Sequence, residues 1–440
     1  MHNLLYNLCD HLSAQLKGAE ILNCSLDGET SEFVRLNQGA VRQAGSVKQA
    51  YLELCLIDGQ RQAGARLSLT SDLATDQAAA ATVLTELRDR IPHLSDDPHL
   101  LYNTEVQSSE HHSEDRCPAA AEVIERIVET ARGTDFVGLY AGGAIHSAFA
   151  NSLGQRNGFS SHSFHLDWSL YHRADKAVKC GYAGTEWSDQ EFSNKMDQAR
   201  RELGVLQRSP RTIDPGRYRV YLAPTAVAEV IAILGWGGFG LKSQRTQRSP
   251  LIRAVKGEEE LASCFNLSEH VGSGLAPRFG KSGFIKPERI QLFEGGRYAS
   301  PLVSPRSARE YSVTTNGADD NESPVAVEME AGQTPRDQVL SELGTGVFVN
   351  NLHYLNYSDR PSCRLTGMTR FATFWVEDGE VVAPLNVMRF DETFYRMFGE
   401  QLATLTRERE LLIDPGTYER RSTQSAMVPG AIIDDFTFTL

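Results

Sequence analysis

The N-terminal part of the chain alternates between helical and extended hydrophobic patterns. Leucines recur every four residues, at Leu4, Leu8, Leu12 and Leu16, which predicts an amphipathic helix that ends near Gly18. Apolar and polar residues then alternate in four short runs, at 21–26, 32–36, 50–57 and 61–69. Such runs are typical of half-buried strands, and Asp58-Gly59 suits a hairpin turn. With a helix capped by Asp72, the pattern predicts a small antiparallel sheet covered by helices.

A polar run at 108–115 interrupts this pattern and predicts a subdivision near residue 110. A helix begun by Pro118 follows, and a second helix is opened by the capping box of Ser188 and Glu191 and closed by Gly204. Between the two helices lie strand-like runs at 136–140, 145–150, 163–171 and 177–182. The two parts are therefore predicted to be related sheet-plus-helix units.

The main domain boundary is predicted near residue 210, because Asp214-Pro215-Gly216 is a turn signal before a new strand. The C-terminal half is rich in strand patterns, at 325–329, 347–349, 370–376, 380–384 and 432–439. The predicted fold class is α+β, with an N-terminal α/β domain over 1–210 and a mainly-β domain over 211–440.

Composition narrows the functional class. The 440 residues contain 44 Lys and Arg against 57 Asp and Glu, a net charge of -13 that disfavours a nucleic-acid partner. Seven scattered cysteines without a C-x-x-C pair indicate a reducing compartment. The N-terminus has no signal-peptide pattern, and the longest uncharged apolar run, 230–241, is too short for a membrane span. We expect a cytoplasmic protein without a membrane partner.

Common catalytic signatures are absent from the sequence: it has no H-E-x-x-H, no G-x-S-x-G and no phosphate-binding P-loop. The densest histidine group is His162, His165, Asp167 and His172. On a strand, His165 and Asp167 face one way and His162 the other. The main interpretation of this segment is therefore a strand of a half-buried sheet with one solvent-exposed face. A metalloenzyme that uses His165 and Asp167 is the alternative. The adjacent His111 and His112 lie in an acidic run and are expected to belong to a solvated linker.

Two further segments are candidates for binding. The glycine-rich segment 235–240 follows an apolar run and precedes polar residues, so it does not match a dinucleotide-binding loop. Packing or turn formation is the simpler role for its glycines. His353, Tyr354 and Tyr357 form a polar aromatic segment that is a candidate peptide-binding site, with packing at the edge of the core as the alternative.

Several fragments, in this order and spacing, resemble the TldD/PmbA family, whose PmbA branch is also called TldE. They are Phe33-Val34-Arg35-Leu36 with 40–44, Asn151-Ser152-Leu153-Gly154, Asp214-Pro215-Gly216 with Ala223-Pro224, Leu343-Gly344-Thr345-Gly346 with Val349, Val376-Glu377-Asp378-Gly379-Glu380 with Pro384, Val428-Pro429 and Asp435-Phe436-Thr437-Phe438. The resemblance extends over nearly the whole chain.

The resemblance implies a two-subunit peptidase in which the TldD partner carries an H-E-x-x-x-H zinc motif and the TldE partner does not. Placing the motif over 236–241 puts Trp236 and Leu241 at the histidine positions and Gly237 at the glutamate, with Gly238 and Gly240 between them. A second register, in which the H-E-x-x-x-H motif is aligned earlier in the chain, places Glu229 at the position of the glutamate base. Neither register supplies zinc ligands, because tryptophan, leucine, alanine and isoleucine side chains offer no lone pair for a metal.

The second register places Ala228 and Ile233 at the ligand positions. The family's additional cysteine is also missing, since 420–428 contains none. The chain therefore resembles a TldE-type subunit with no catalytic or metal-binding residue of its own and with zinc in a TldD-like partner.

The implied function is the degradation of unfolded peptides or the processing of leader peptides by a cytosolic hetero-oligomer. The chain alone is expected to be inactive, and to form a homodimer when its paralogue is absent. The alternative is a peptide-binding or adaptor protein that acts without a zinc partner. The family's association with DNA gyrase gains no support from the acidic composition.

Overall fold

The computed structural model describes residues 1–173, 176–273 and 275–440. Its α-helices are α1 (His2–Ser13), α2 (Leu73–Arg90), α3 (Ala120–Ala131), α4 (Asp189–Leu206), α5 (Pro224–Leu234), α6 (Leu241–Arg245), α7 (Ile252–Val255), α8 (Pro305–Tyr311), α9 (Val339–Leu343) and α10 (Phe394–Phe398).

The strands fall into two groups along the chain. The N-terminal group is β1 (Ile21–Asn37), β2 (Ala40–Asp58), β3 (Arg61–Ser68), β4 (Ser109–His112), β5 (Asp135–Asn151), β6 (Arg156–Arg173) and β7 (Lys176–Gly184). The C-terminal group is β8 (Gly216–Leu222), β9 (Leu267–Glu269), β10 (Ile290–Glu294), β11 (Arg297–Tyr298), β12 (Ala326–Met329), β13 (Gly346–Asp359), β14 (Arg364–Glu377), β15 (Glu380–Pro384), β16 (Arg389–Thr393), β17 (Leu402–Ile413) and β18 (Ser425–Phe438). The predicted α+β class is confirmed.

The N-terminal strands form one seven-stranded sheet in the order β3-β2-β1-β5-β6-β4, with β7 also paired to β6. β1 and β5 pair without interruption from Asn23 opposite Asn151 to Leu36 opposite Gly138, so strands from both sides of residue 110 share this sheet. The runs expected as separate short strands, 21–26 with 32–36 and 136–140 with 145–150, are each one long strand. Polar residues break the apolar alternation there, but backbone pairing continues through them.

All four long N-terminal helices cover the same face of this sheet. α1 and α2 pack on leucines of β1 and β2, and α3 and α4 pack on aromatic residues of β5 and β6 such as Phe136 and Trp168. The packed residues of β1, β5 and β6 have even numbers, as expected for one face of strands that pair in register. The odd-numbered face therefore lies opposite the helices.

The C-terminal strands form an eleven-stranded sheet that closes on itself. β8 pairs with β13, β13 with β14, β14 with β16, β16 with β18, and β18 again with β8. β12, β9, β10 and β11 extend from β18. The apolar helix α5 packs on β13 and β18 in the core of this ring, where Val230 and Leu234 are fully buried.

The odd-numbered face of the first sheet meets the C-terminal part through the segment between β17 and β18. Arg421 in this segment is 1% exposed. Its guanidinium donates hydrogen bonds to Ser31 Oγ (3.1 Å), Ser163 Oγ (3.1 Å) and the Gly143 carbonyl (2.6 Å). Burial lowers the pKa of Arg421 to about 10. The sheet face that was expected to be solvent-exposed is thus partly buried, since Ser163 and His165 are 1% and 3% exposed.

Replacing Arg421 tests this contact. Arg421→Ala leaves the polar groups of three strands without their donor, so we expect the free energy of unfolding to fall by roughly 3 kcal/mol in urea titrations. Arg420→Ala is the matched control, because Arg420 forms a half-exposed ion pair with Asp27 (2.9 Å) and should cost at most about 1 kcal/mol. Equal effects of the two variants would contradict the anchoring role.

Candidate functional site

Helix α5 provides the framework of the candidate site. It follows β8 directly, begins with Pro224 at its first turn and ends at Leu234, with Gly235 as its C-cap. Its side chains are apolar apart from Thr225 and Glu229, and most of them are buried. A helix that is apolar on nearly every side belongs in a core, which explains its place inside the ring of strands.

Glu229 is the one charged residue of α5. Its Oε2 accepts a hydrogen bond from the backbone N–H of Leu352 on β13, at 2.6 Å. Burial raises the pKa of Glu229 to about 7, although the Leu352 hydrogen bond and the positive charge of Lys179 act in the opposite direction. This carboxyl group therefore changes its charge near neutral pH.

Residues of the first sheet complete the surroundings of Glu229. Lys179 on β7 forms an ion pair with Asp167 on β6 (3.3 Å), and its carbonyl accepts a hydrogen bond from Asn350 Nδ2 of β13 (3.1 Å). Burial raises the pKa of Asp167, and Lys179 opposes that shift. The site lies where the first sheet meets β13 and α5.

A second feature is a groove of about 1260 Å³ between the first sheet and the C-terminal loops. Its floor is the odd-numbered sheet face, which combines polar residues such as Ser25 and Asp27 with Phe149 and Phe159. Loops within 276–282, 317–321 and 414–424 form its walls. Tyr418 on one wall is 93% exposed. No sequence pattern predicts this groove, because its residues come from distant segments.

Comparison with known proteins identifies the chain's relatives. Residues 215–440, more than half of the chain, match the family model described as the PmbA/TldA metallopeptidase C-terminal domain. The chain belongs to the PmbA/TldD family. No curated protein matches its sequence significantly.

Solved structures share the fold of this PmbA/TldD chain. TldE from Thermococcus kodakarensis has a TM-score of 0.80 at 12% identity, over 99% of this chain and 100% of that one. A putative modulator of a DNA gyrase from Thermotoga maritima has a TM-score of 0.76 at 14% identity, over 99% of each chain. A putative modulator of DNA gyrase from Bacteroides thetaiotaomicron has a TM-score of 0.71 at 14% identity, over 99% of this chain and 98% of that one. At these identities, the likeness concerns the fold.

The surroundings of Glu229 do not fit a zinc ion. Ala228 and Ile233, the positions that the second register assigns to ligands, have no donor atoms. Within 1–173, 176–273 and 275–440, no three histidine, cysteine or acidic side chains converge beside Glu229. This PmbA/TldD chain thus keeps a carboxylate on a buried helix without the partners that would make it a metal centre.

The segment 236–241, on which the degenerate zinc motif is expected to form a helix, is not one helix. α5 ends at Leu234, and α6 begins only at Leu241. Gly237 has a φ of +78°, which is not helical, and a Cβ on Gly238 would lie 2.4 Å from the Leu234 carbonyl oxygen. Both residues therefore belong to a turn that requires glycine. Trp236 is 61% exposed and fills no internal space. Of the two registers, the one on Glu229 lies on a helix.

Gly240, the last glycine of the segment 235–240, also makes a close contact. A Cβ there would lie 2.8 Å from Oε2 of Glu322. The Glu322 carboxylate is buried and accepts hydrogen bonds from the backbone N–H groups of Lys242 and Ser304, at 2.9 Å each. These contacts give Gly240 a packing role next to a carboxylate that holds two segments together.

The predicted peptide-binding residues do not form one cluster. The Tyr357 hydroxyl donates to the Ile233 carbonyl at the end of α5 (2.9 Å), and its ring lies 4.8 Å from the Arg360 guanidinium. Arg360 also donates to the Trp236 carbonyl. His353 and Tyr354 occupy an irregular part of β13, where Tyr354 is 79% exposed. Their role in peptide binding remains a prediction.

The histidines of β6 have separate environments. His162 contacts Ser113, whereas the ring of His165 is buried with neither nitrogen hydrogen-bonded. Burial, assisted by Arg421, lowers the pKa of His165 to about 4. Asp167 is paired with Lys179, so His165 and Asp167 share a sheet face without forming a metal site among the described residues.

The raised pKa of Glu229 predicts a pH-dependent stability. Between about pH 4.5 and 7 the folded state keeps this proton while the unfolded state loses it, so stability falls as pH rises through this range. Glu229→Gln removes this ionisation. We expect its free energy of unfolding, relative to the wild type, to increase by roughly 2 kcal/mol between pH 5 and 8 in urea titrations. Glu294→Gln, at the exposed end of β10, is the control, and a pH-independent difference for Glu229→Gln would refute the assignment.

Proposed function

We propose that this chain is the TldE-type subunit, lacking the zinc motif, of a TldD/TldE-type metallopeptidase that acts on unfolded or leader peptides. The observation that carries the proposal is α5, a buried helix with Glu229 flanked by Ala228 and Ile233 instead of metal ligands. In this proposal a zinc-bearing paralogue supplies the metal. There, zinc would lower the pKa of a bound water and polarise the scissile carbonyl.

The similarity to a TldE fold over 99% of the chain supports the proposal. Glu229 alone could not perform the hydrolysis, since a carboxylate without a metal or an oxyanion-stabilising group activates water poorly. The chain would instead bind substrate and shape the site of its partner. No helix of the described residues is long and apolar enough to span a membrane.

The groove is the best candidate for substrate binding. Its polar and aromatic lining suits an extended peptide, whose backbone needs hydrogen bonds and whose side chains alternate in polarity. Ser25 and Asp27 on β1 provide polar contacts, and Tyr418 on the wall provides an exposed aromatic one. The same groove would serve a peptide-binding or adaptor protein without a zinc partner, which is the second candidate function.

Reconstitution with the paralogue separates these two functions. We expect the chain and a zinc-bearing paralogue from the same source to elute as one complex in size-exclusion chromatography. The complex should hydrolyse an unfolded protein such as casein, while this chain alone does not. Binding of unfolded peptide without association with the paralogue would favour the adaptor function. Hydrolysis by this chain alone would refute both.

Variants of two exposed tyrosines test whether peptide binds in the groove or at the site on β13 that the sequence predicts. Tyr418→Ala should weaken binding of a fluorescent unfolded peptide roughly fivefold, because it removes an aromatic contact of about 1 kcal/mol from the groove wall. Tyr354→Ala, on β13, is the matched variant and should bind as the wild type does. The opposite pattern would place the peptide site at β13 and contradict the groove.

A further inference from the structure

Three potential metal ligands converge at the start of α1, far from α5 in the sequence. His2 lies on α1, while Glu110 and His112 lie on the short edge strand β4. One ligand atom from each of the three lies within 4.8 Å of the others. This cluster lies on the helix-covered face of the first sheet, because Glu110 pairs with Gly158 and His112 with Ser160 in β6.

The two imidazoles are oriented by hydrogen bonds of their outer nitrogens. Nε2 of His2 lies 2.9 Å from the Phe159 carbonyl, which only accepts, so Nε2 carries a proton and Nδ1 holds the lone pair of the neutral ring. Nδ1 of His112 lies 2.9 Å from Ser160 Oγ. This leaves Nδ1 of His2 and Nε2 of His112 facing the same oxygen, Oε2 of Glu110. Metal-bound histidines are commonly fixed in this way by a second hydrogen bond.

The distances to this oxygen suit coordination. Nδ1 of His2 and Nε2 of His112 lie 3.6 Å and 3.3 Å from Oε2 of Glu110. Ligand atoms about 2.1 Å from a tetrahedral zinc ion are about 3.4 Å apart. A lone pair of neutral His2 directed at a carboxylate oxygen is also repulsive unless a proton or a metal cation lies between the two atoms.

The surroundings of Glu110 preserve this arrangement. The Tyr6 hydroxyl donates to Oε1 of Glu110 at 2.5 Å, which leaves Oε2 for the cluster. Gly158 lies under the ligands, and a Cβ there would be 2.1 Å from Oε2 of Glu110 and 2.7 Å from Nδ1 of His2. His146 borders the cluster, with its ring centre 6.0 Å from that of His2.

We propose that His2, Glu110 and His112 bind a divalent transition-metal ion, of which zinc fits best, and that this ion fixes α1 to the edge strand β4. Two imidazoles and a carboxylate are a usual ligand set for zinc, with water completing the coordination. The ion has a structural role and is independent of the proposed peptidase function. It lies on the opposite sheet face from the groove, and it departs from the expectation that this chain holds no metal.

Metal titration tests the proposal on the full chain after dialysis against a chelator and then metal-free buffer. We expect calorimetry with zinc chloride to give about one equivalent bound with a micromolar or lower dissociation constant. Cobalt(II) should give visible absorption bands of a tetrahedral nitrogen and oxygen site. Absence of saturable binding, or several weak sites of equal affinity, would overturn the proposal.

Single histidine variants test whether zinc binds at this cluster. His112→Ala should weaken zinc binding at least about tenfold, because it removes a direct ligand and loss of an outer-shell partner alone typically costs about that much. The side chain of His112 is 59% exposed, so the variant should fold, which circular dichroism verifies. His111→Ala is the matched control, because His111 is the neighbouring residue of the same strand and stacks on Phe159 outside the cluster. Equal affinity of His112→Ala and the wild type would refute the site.

Discussion

A partly buried carboxylate needs hydrogen bonds or a compensating charge, and Glu229 obtains both from groups in the two halves of the molecule. α5 brings Glu229 into the ring of C-terminal strands, and β13 supplies the Leu352 N–H. The first sheet supplies the positive charge of Lys179, which is itself tied to β13 through Asn350. The site thus depends on the packing of the two sheets against each other, as does the groove beyond it.

Sequence patterns predicted the helices and strands whose hydrophobic spacing and capping residues match their burial in the structure. The leucine spacing of α1, the capping residues Asp72 and Ser188 and the alternation along β6 all correspond to the structure. The strand continuity of β1 and β5 was missed, because pairing with neighbours overrides the polar residues inside these strands. The burial of Ser163 and His165 was missed because Arg421, which covers that face, lies more than two hundred residues away in the sequence.

The candidate site was predictable only in part. An apolar run before a glycine-rich segment predicted a helix and a turn, but the motif was placed on 236–241, which begins in the turn after α5. The register on Glu229 was available from the sequence, yet its burial and its contact with β13 depend on the tertiary structure. His112 was assigned to a solvated linker because His2, Tyr6 and Gly158, which give it a defined environment, are remote from it along the chain.

The two faces of the first sheet separate two kinds of chemistry. The helix-covered face holds the cluster of His2, Glu110 and His112, whereas the opposite face forms the floor of the groove and contacts the C-terminal part. A metal bound at the first location would stabilise the attachment of α1. It would lie on the other side of the sheet from any peptide in the groove, so metal content alone does not identify this chain as the catalytic subunit.

We propose that the helix carrying Glu229 holds no catalytic metal and that a zinc-bearing paralogue supplies it. The most direct measurement is an anomalous-scattering map at the zinc absorption edge, from crystals of the complex between this chain and its zinc-bearing paralogue. We expect a zinc peak at the paralogue's H-E-x-x-x-H motif and none beside Glu229. A zinc peak within coordination distance of Glu229 would contradict it.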